Sequence, residues 1–141
     1  AHTPAGLQGV LNALRQHCRG NLWCVFGCGG DRDRGKRPLM GATVMRLADR
    51  AVVTTDNPRF EDPAGIIAEV LEGMDRRAMV IPDRARAIRW AILKARDHDI
   101  VLVAGKGHEN VQVIRGESLP FSDVDAAIDG LHARGAGERT P

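Results

Sequence analysis

At 141 residues, with an average apolar fraction and charges of both signs interspersed to a net +2, the chain describes one domain able to bury a single core. Arginine far outnumbers lysine, yet no basic run is long or one-sided enough for a nucleic-acid or membrane surface. No stretch approaches the roughly 18 uninterrupted apolar residues of a membrane span, and the opening Ala1-His2-Thr3-Pro4 has neither the basic nor the apolar part of a signal peptide.

In chain order, Leu7, Val10, Leu11, Leu14 and Cys18 recur at helical spacing, with Gly20 expected as the stop. Leu22 to Phe26 is a nearly unbroken apolar run, as a strand buried on both faces would be. Leu39 to Leu47 reads as a helix with Pro38 near its first turn, and Ala51 to Thr54 as a strand. Ile66 to Leu71 marks a helix closed by Gly73, and Met79 to Ile81 a strand. Ala85 to Ala95 is a helix capped by Asp83, and Ile100 to Ala104 the strongest strand. Val111 to Ile114 alternates like an edge strand, with antiparallel pairing left open. Asp123 is expected to cap a last helix through Leu131, with 134–141 as a loose tail.

Strands and helices alternating in this way imply an α/β domain: a mostly parallel sheet with helices on both faces. Cys18, Cys24 and Cys28 lack C-x-x-C spacing and read as reduced thiols, which fits a cytoplasmic protein. The five histidines are scattered, so no metal site is expected. Without a starting Met, the chain is expected to be a piece of a longer protein.

In parallel sheets of this kind, ligands sit beyond the carboxyl ends of the strands. That rule selects three loops: 27–37, 55–62 and 105–110. The first, Gly27-Cys28-Gly29-Gly30-Asp31-Arg32-Asp33-Arg34-Gly35-Lys36-Arg37, fails both phosphate-binding patterns. Arg32 stands where a dinucleotide fingerprint needs glycine, and Arg37 where a P-loop needs Ser or Thr. The alternative is a glycine turn with solvated charges, from which Arg32 is singled out while Lys36 and Arg37 stay open. In Asp56-Asn57-Pro58-Arg59, a plain turn competes with a rigid loop in which Arg59 offers a planar fork to a carboxylate. Asp56 and Asn57 would add an acceptor, a donor and charge balance. In Gly105-Lys106-Gly107-His108-Glu109, the glycines admit close approach and Glu109 could receive an ammonium group, a glycine carbonyl being the second acceptor. Lys106 and His108 stay open. Arg32 and Arg59 for carboxylates, with Asp56 and Glu109 for ammonium groups, would suit a ligand with two amino-acid ends.

These two motifs, the run Phe26-Gly27-Cys28-Gly29-Gly30-Asp31-Arg32-Asp33 and the opening Ala1-His2-Thr3-Pro4 together resemble the diaminopimelate-adding ligases of the Mur family. The resemblance covers nearly the whole chain and fades after about Asp123. It implies the C-terminal, acceptor-binding domain over 1–133, a Rossmann-like sheet of about six strands with one antiparallel at the edge. The N-terminal and central ATP-binding domains would lie outside this chain. The resemblance further implies an ATP-dependent ligase of peptidoglycan synthesis that adds meso-diaminopimelate to UDP-N-acetylmuramoyl-L-alanyl-D-glutamate.

Carried over by motif, Asp56, Asn57 and Arg59 would hold the distal carboxylate of diaminopimelate. Gly105 and Glu109 would take its distal ammonium, Arg32 a carboxylate nearer the reacting end, and His2 would contact ATP. No catalytic residue and no metal ligand is expected within the chain, because ATP and Mg2+ would be bound by the other domains. A monomer is expected, inactive in isolation, with no nucleic-acid or membrane partner. The alternatives are a free-standing Rossmann-like module binding an amino acid or nucleotide, and a lysine-adding ligase of the same family. The Arg59 fork argues against lysine, which has no distal carboxylate. A dinucleotide-dependent oxidoreductase is disfavoured by Arg32.

Overall fold

The computed structural model describes residues 2–106, 109, 111–115 and 117–137. Four strands, β1 (Leu22–Phe26), β2 (Arg50–Val53), β3 (Ala78–Val80) and β4 (Ile100–Val103), form a parallel sheet in the order β3-β2-β1-β4. The centre of the sheet follows from composition, since every residue of β1 is buried. Alternation then divides the core. Leu22, Cys24 and Phe26 pack with α1 (Pro4–Arg15), α2 (Lys36–Leu47) and α3 (Pro63–Leu71) on one face. Trp23 and Val25 pack on the other face against α4 (Arg84–Lys94), which pairs with α5 (Asp123–Gly135).

The capping chemistry sets most helix starts. Thr3 accepts from Gly6 N at 3.0 Å, Asp62 from Ala64 N at 3.1 Å, and Asp83, as expected, from Arg86 N at 3.4 Å. The first helix ends at Arg15, before Cys18. Gly20 has a different duty from the stop expected of it, because a Cβ there would lie 2.4 Å from Asp99 Oδ1 and 3.0 Å from the His98 carbonyl. Ser122, not Asp123, caps α5, accepting from Asp125 N at 3.2 Å. Asp123 instead points inward to a buried arginine. Arg134 lies within α5 and donates to the carbonyls of Ile92 and Ala95, so the helix runs past the point where a loose tail was expected to begin. Residues 138–141 of that tail lie outside the described residues.

Among the described residues there are six strands, distributed differently from the expected single sheet. β5 (Val111–Ile114) and β6 (Glu117–Pro120) form a separate antiparallel hairpin, with Val111 opposite Pro120 and Ile114 opposite Glu117. The hairpin joins the domain through the β2 loop: Arg59 N donates to Val113 O at 3.0 Å, and Arg115 N to Arg59 O at 2.5 Å. Among the described residues, no helix is long and apolar enough to cross a membrane.

Candidate functional site

The carboxyl ends of β1, β2 and β4 meet at a cleft of about 380 Å³. His2, Arg32, Asp56, Asn57, Arg59 and Glu109 line it, with Gly27, Cys28, Gly29, Asp33, Lys36 and Arg37. The structure therefore brings together all the sequence-selected side chains. Gly105 stands just behind them with φ +111, a conformation that favours glycine, and a Cβ there would lie 3.6 Å from Asp56 Oδ2. Gly107 and His108 lie outside the described residues.

The first two loops are zipped together closely enough to require glycine. Gly30 N donates to Asn57 O at 2.7 Å, and a Cβ on Gly30 would fall 1.8 Å from Pro58 O. A Cβ on Gly27 would meet Thr54 O at 2.3 Å. Arg59 closes the contact from the other side. Its Nη1 donates to Gly30 O at 3.0 Å and Asn57 O at 3.2 Å, while its backbone adopts φ +53. That left-handed backbone is uncommon for a non-glycine residue and is held here by the hairpin's two hydrogen bonds. The side-chain partners of Arg59 among the described residues are carbonyl oxygens, and none is a carboxylate.

Arg37, left open by the sequence, is a buried brace. Its guanidinium makes a two-pronged pair with Glu61, Nη1 to Oε2 at 2.9 Å and Nη2 to Oε1 at 2.8 Å. It also donates to Glu69 Oε1 at 3.2 Å and to Gly29 O at 3.0 Å. Glu61 in turn accepts from Asp31 N at 2.6 Å. The Arg37 pair and that backbone bond pull the Glu61 carboxyl down to about 2. The glycine loop is thus pinned by charge pairs, leaving Arg32 exposed at the cleft with no partner among the described residues. Lys36 is likewise exposed and lines the cleft.

Lys106 is another residue the sequence left open. It is 3% exposed, and its Nζ donates to Asn57 Oδ1 at 2.6 Å and Val111 O at 3.2 Å. The same ammonium lies 3.2 Å from Asp56 Oδ1, an ion pair whose geometry leaves that oxygen without a hydrogen bond. Asn57 Oδ1 also accepts from Val113 N at 2.9 Å, so the face Asn57 can offer a ligand is its NH2 group. Gln112 Nε2 donates to Asp56 O at 2.8 Å. Glu109 stands exposed at the rim.

Beneath the loops, Arg84 was missed altogether by sequence reasoning. It is 1% exposed and pairs with Asp123 through Nε and Nη2, both at 2.7 Å. It also donates to Thr55 O at 3.3 Å and Ala104 O at 2.9 Å. Those carbonyls immediately precede Asp56 and Gly105, so one guanidinium clasps the ends of two site strands. A charged residue at a helix N-terminus carries no sequence signal for such a role. All three cysteines are free thiols; burial pushes Cys24 up to about 12 and Cys28 up to about 11.

Residues 1–107 match the family described as Mur ligase, glutamate ligase domain. The chain belongs to this family. It is 58% identical over 132 residues to a UDP-N-acetylmuramoyl-L-alanyl-D-glutamate–2,6-diaminopimelate ligase of Alkalilimnicola ehrlichii, covering 93% of this chain and 26% of that protein. It is 50% identical over 133 residues to the ligase of the same name from Haemophilus influenzae, covering 93% of this chain and 27% of the relative. The Mur ligase domain thus spans about a quarter of the length of the curated relatives it matches. A solved structure of a ligase with that name superposes with TM-score 0.91 at 46% identity, covering 96% of this chain and 28% of the other. A domain solved from Haemophilus ducreyi, at 15% identity, TM-score 0.59 and coverage of 95% and 85%, shares the fold alone.

Proposed function

We propose that this Mur ligase domain receives meso-diaminopimelate for an ATP-dependent ligase that joins it to UDP-N-acetylmuramoyl-L-alanyl-D-glutamate in peptidoglycan synthesis. The observation that carries the reading is Arg59: a guanidinium locked onto two carbonyls at a cleft wall, with no carboxylate partner among the described residues. A ligand carboxylate would complete it, with two parallel hydrogen bonds available to a planar fork. The names of the relatives agree with that chemistry.

In this reading Arg59 and the Asn57 NH2 group receive the distal carboxylate, and Asp56 supports them through Lys106. Glu109, with the Gly105 carbonyl, receives the distal ammonium. Arg32 steers the carboxylate next to the reacting amine. The domain's contribution is to bind and orient the acceptor so that its free amine meets an activated carboxyl group.

ATP and Mg2+ do not fit the residues described here. The P-loop position for Ser or Thr is Arg37, buried in ion pairs, and no three His, Cys, Asp or Glu side chains among the described residues are grouped to hold a cation. Both are assigned to the domains beyond this chain, with His2 at the cleft rim as the residue that would meet the nucleotide. A cytoplasmic monomer is part of the same proposal. The test is amide formation by the ligase carrying this domain, with ATP, the UDP-linked precursor and either acceptor. Diaminopimelate should be preferred over lysine by about 10⁴ or more, as a site built around polar partners rejects an analogue lacking them. Equal use of lysine would overturn the acceptor assignment.

A further inference from the structure

We propose that Lys106 is the residue that sets acceptor specificity, by neutralising Asp56 so that the charge of Arg59 is left for the ligand. This rests on the acceptor reading above and deepens it. Lys106 is a positioning residue: it does not line the cleft and acts through the two side chains that do.

The argument is one of charge. Asp56 is 5% exposed and belongs to the same four-residue loop as Arg59. A buried carboxylate without a counterion would draw the nearest cation, and Arg59 is the cation of that loop. In the structure that does not happen. Asp56 Oδ1 lies 3.2 Å from Lys106 Nζ, while Arg59 is turned onto the carbonyls of Gly30 and Asn57. Lys106 also fixes Asn57 Oδ1 at 2.6 Å, which directs the amide NH2 group away from it and toward the ligand side. A single buried ammonium from the β4 loop thus offsets the buried negative charge of Asp56, the one carboxylate within Asp56-Asn57-Pro58-Arg59. What remains around Arg59 is positive where the distal carboxylate would bind, and it discriminates for that carboxylate.

Removing that ammonium should weaken the preference. With Lys106→Met, Asp56 is uncompensated, competes for Arg59, and favours an acceptor that brings an ammonium without a carboxylate, as lysine does. The experiment measures kcat/KM for meso-diaminopimelate and for lysine in the ligase carrying this domain, for wild type, Lys106→Met, Lys106→Arg, and the double variant Lys106→Met/Asp56→Asn. The ratio of the two constants should fall at least about tenfold in Lys106→Met, a decade being ~1.4 kcal/mol. It should recover in the double variant, where both charges are gone, and hold within about threefold in Lys106→Arg. Equal loss for both acceptors in Lys106→Met, with no recovery in the double variant, would reduce Lys106 to a packing role and overturn the proposal while leaving the acceptor reading intact. A wild type that does not prefer diaminopimelate would sink the acceptor reading first. If Lys106→Met fails to fold, the charge-keeping and charge-free variants decide: a ratio that falls tenfold in Lys106→Arg, or in the double variant, overturns the proposal.

Discussion

Removing the Arg84 side chain should destabilise the domain more than any cleft substitution. Arg84→Met deletes both arms of the pair with Asp123, whose side chain is 7% exposed, and strips a donor from the Thr55 and Ala104 carbonyls. Breaking one side of a buried pair costs about 3–5 kcal/mol, because the other charge is left without a partner. For 141 residues, an unfolding entropy of roughly 2.1 cal/mol/K per residue gives about 0.3 kcal/mol per degree. The expected fall in Tm is therefore about 10–17 °C. The double variant Arg84→Met/Asp123→Asn should recover part of this, since no buried charge remains. Recovery should be incomplete by about 1–3 kcal/mol, because Ala104 O and Thr55 O still lack Arg84. Thermal unfolding followed by circular dichroism on the isolated chain measures both, and a single cooperative transition is expected for one core of this size. A fall of under about 3 °C for Arg84→Met, near 1 kcal/mol, would refute the claim that this guanidinium clasps the two strand ends.

The brace beneath the glycine loop gives a pH dependence. Glu61 has its folded carboxyl held at about 2 by Arg37 and Asp31 N, below its ordinary 4.5, so its contribution is present above about pH 4.5 and is lost as pH falls toward 2. With solvent screening at a partly exposed carboxylate, that contribution is about 1–2 kcal/mol, and Glu61→Gln should remove it and flatten this part of the acid limb in urea titrations. An unchanged acid limb would contradict the pairing. Gly30→Ala places a methyl 1.8 Å from Pro58 O, and should cost about 1–3 kcal/mol by separating the two loops, with acceptor KM rising at least about tenfold. Normal acceptor kinetics there would show that the loop contact is dispensable. The isolated chain should hydrolyse no ATP, since Arg37 fills the position where a P-loop needs a hydroxyl. Turnover in a sample free of other ligases would contradict that assignment.

The fold was legible in the sequence wherever one physical signal dominated. The run Leu22 to Phe26 reads as a doubly buried strand because both faces are apolar, and β1 has those bounds. Asp83 reads as a cap and is one. The cleft was legible for a topological reason, as the loops after β1, β2 and β4 meet where parallel sheets place ligands. What escaped was partnership at long range. Asp123 looked like a cap because local pattern offered no other use for it, yet its partner Arg84 lies 39 residues away. Arg37 and Lys106 stay open in the sequence between site residue and solvated charge, and only packing shows that both are buried against carboxylates. The hairpin β5–β6 was missed as a unit because Glu117–Pro120 is exposed throughout and carries no apolar alternation.

The central claim is that Arg59 waits for a carboxylate at the far end of the acceptor, and one substitution tests it most directly. In the ligase carrying this domain, Arg59→Ala should lower kcat/KM for meso-diaminopimelate by roughly 10²–10³, about 3–4 kcal/mol for a desolvated charge pair. Arg59→Lys should restore only part, since a point charge cannot supply two parallel hydrogen bonds. The constant for lysine, which brings no distal carboxylate, should move by less than about threefold in Arg59→Ala. Diaminopimelate kinetics within about twofold of wild type would contradict the account, because Arg59 would then not be the clamp.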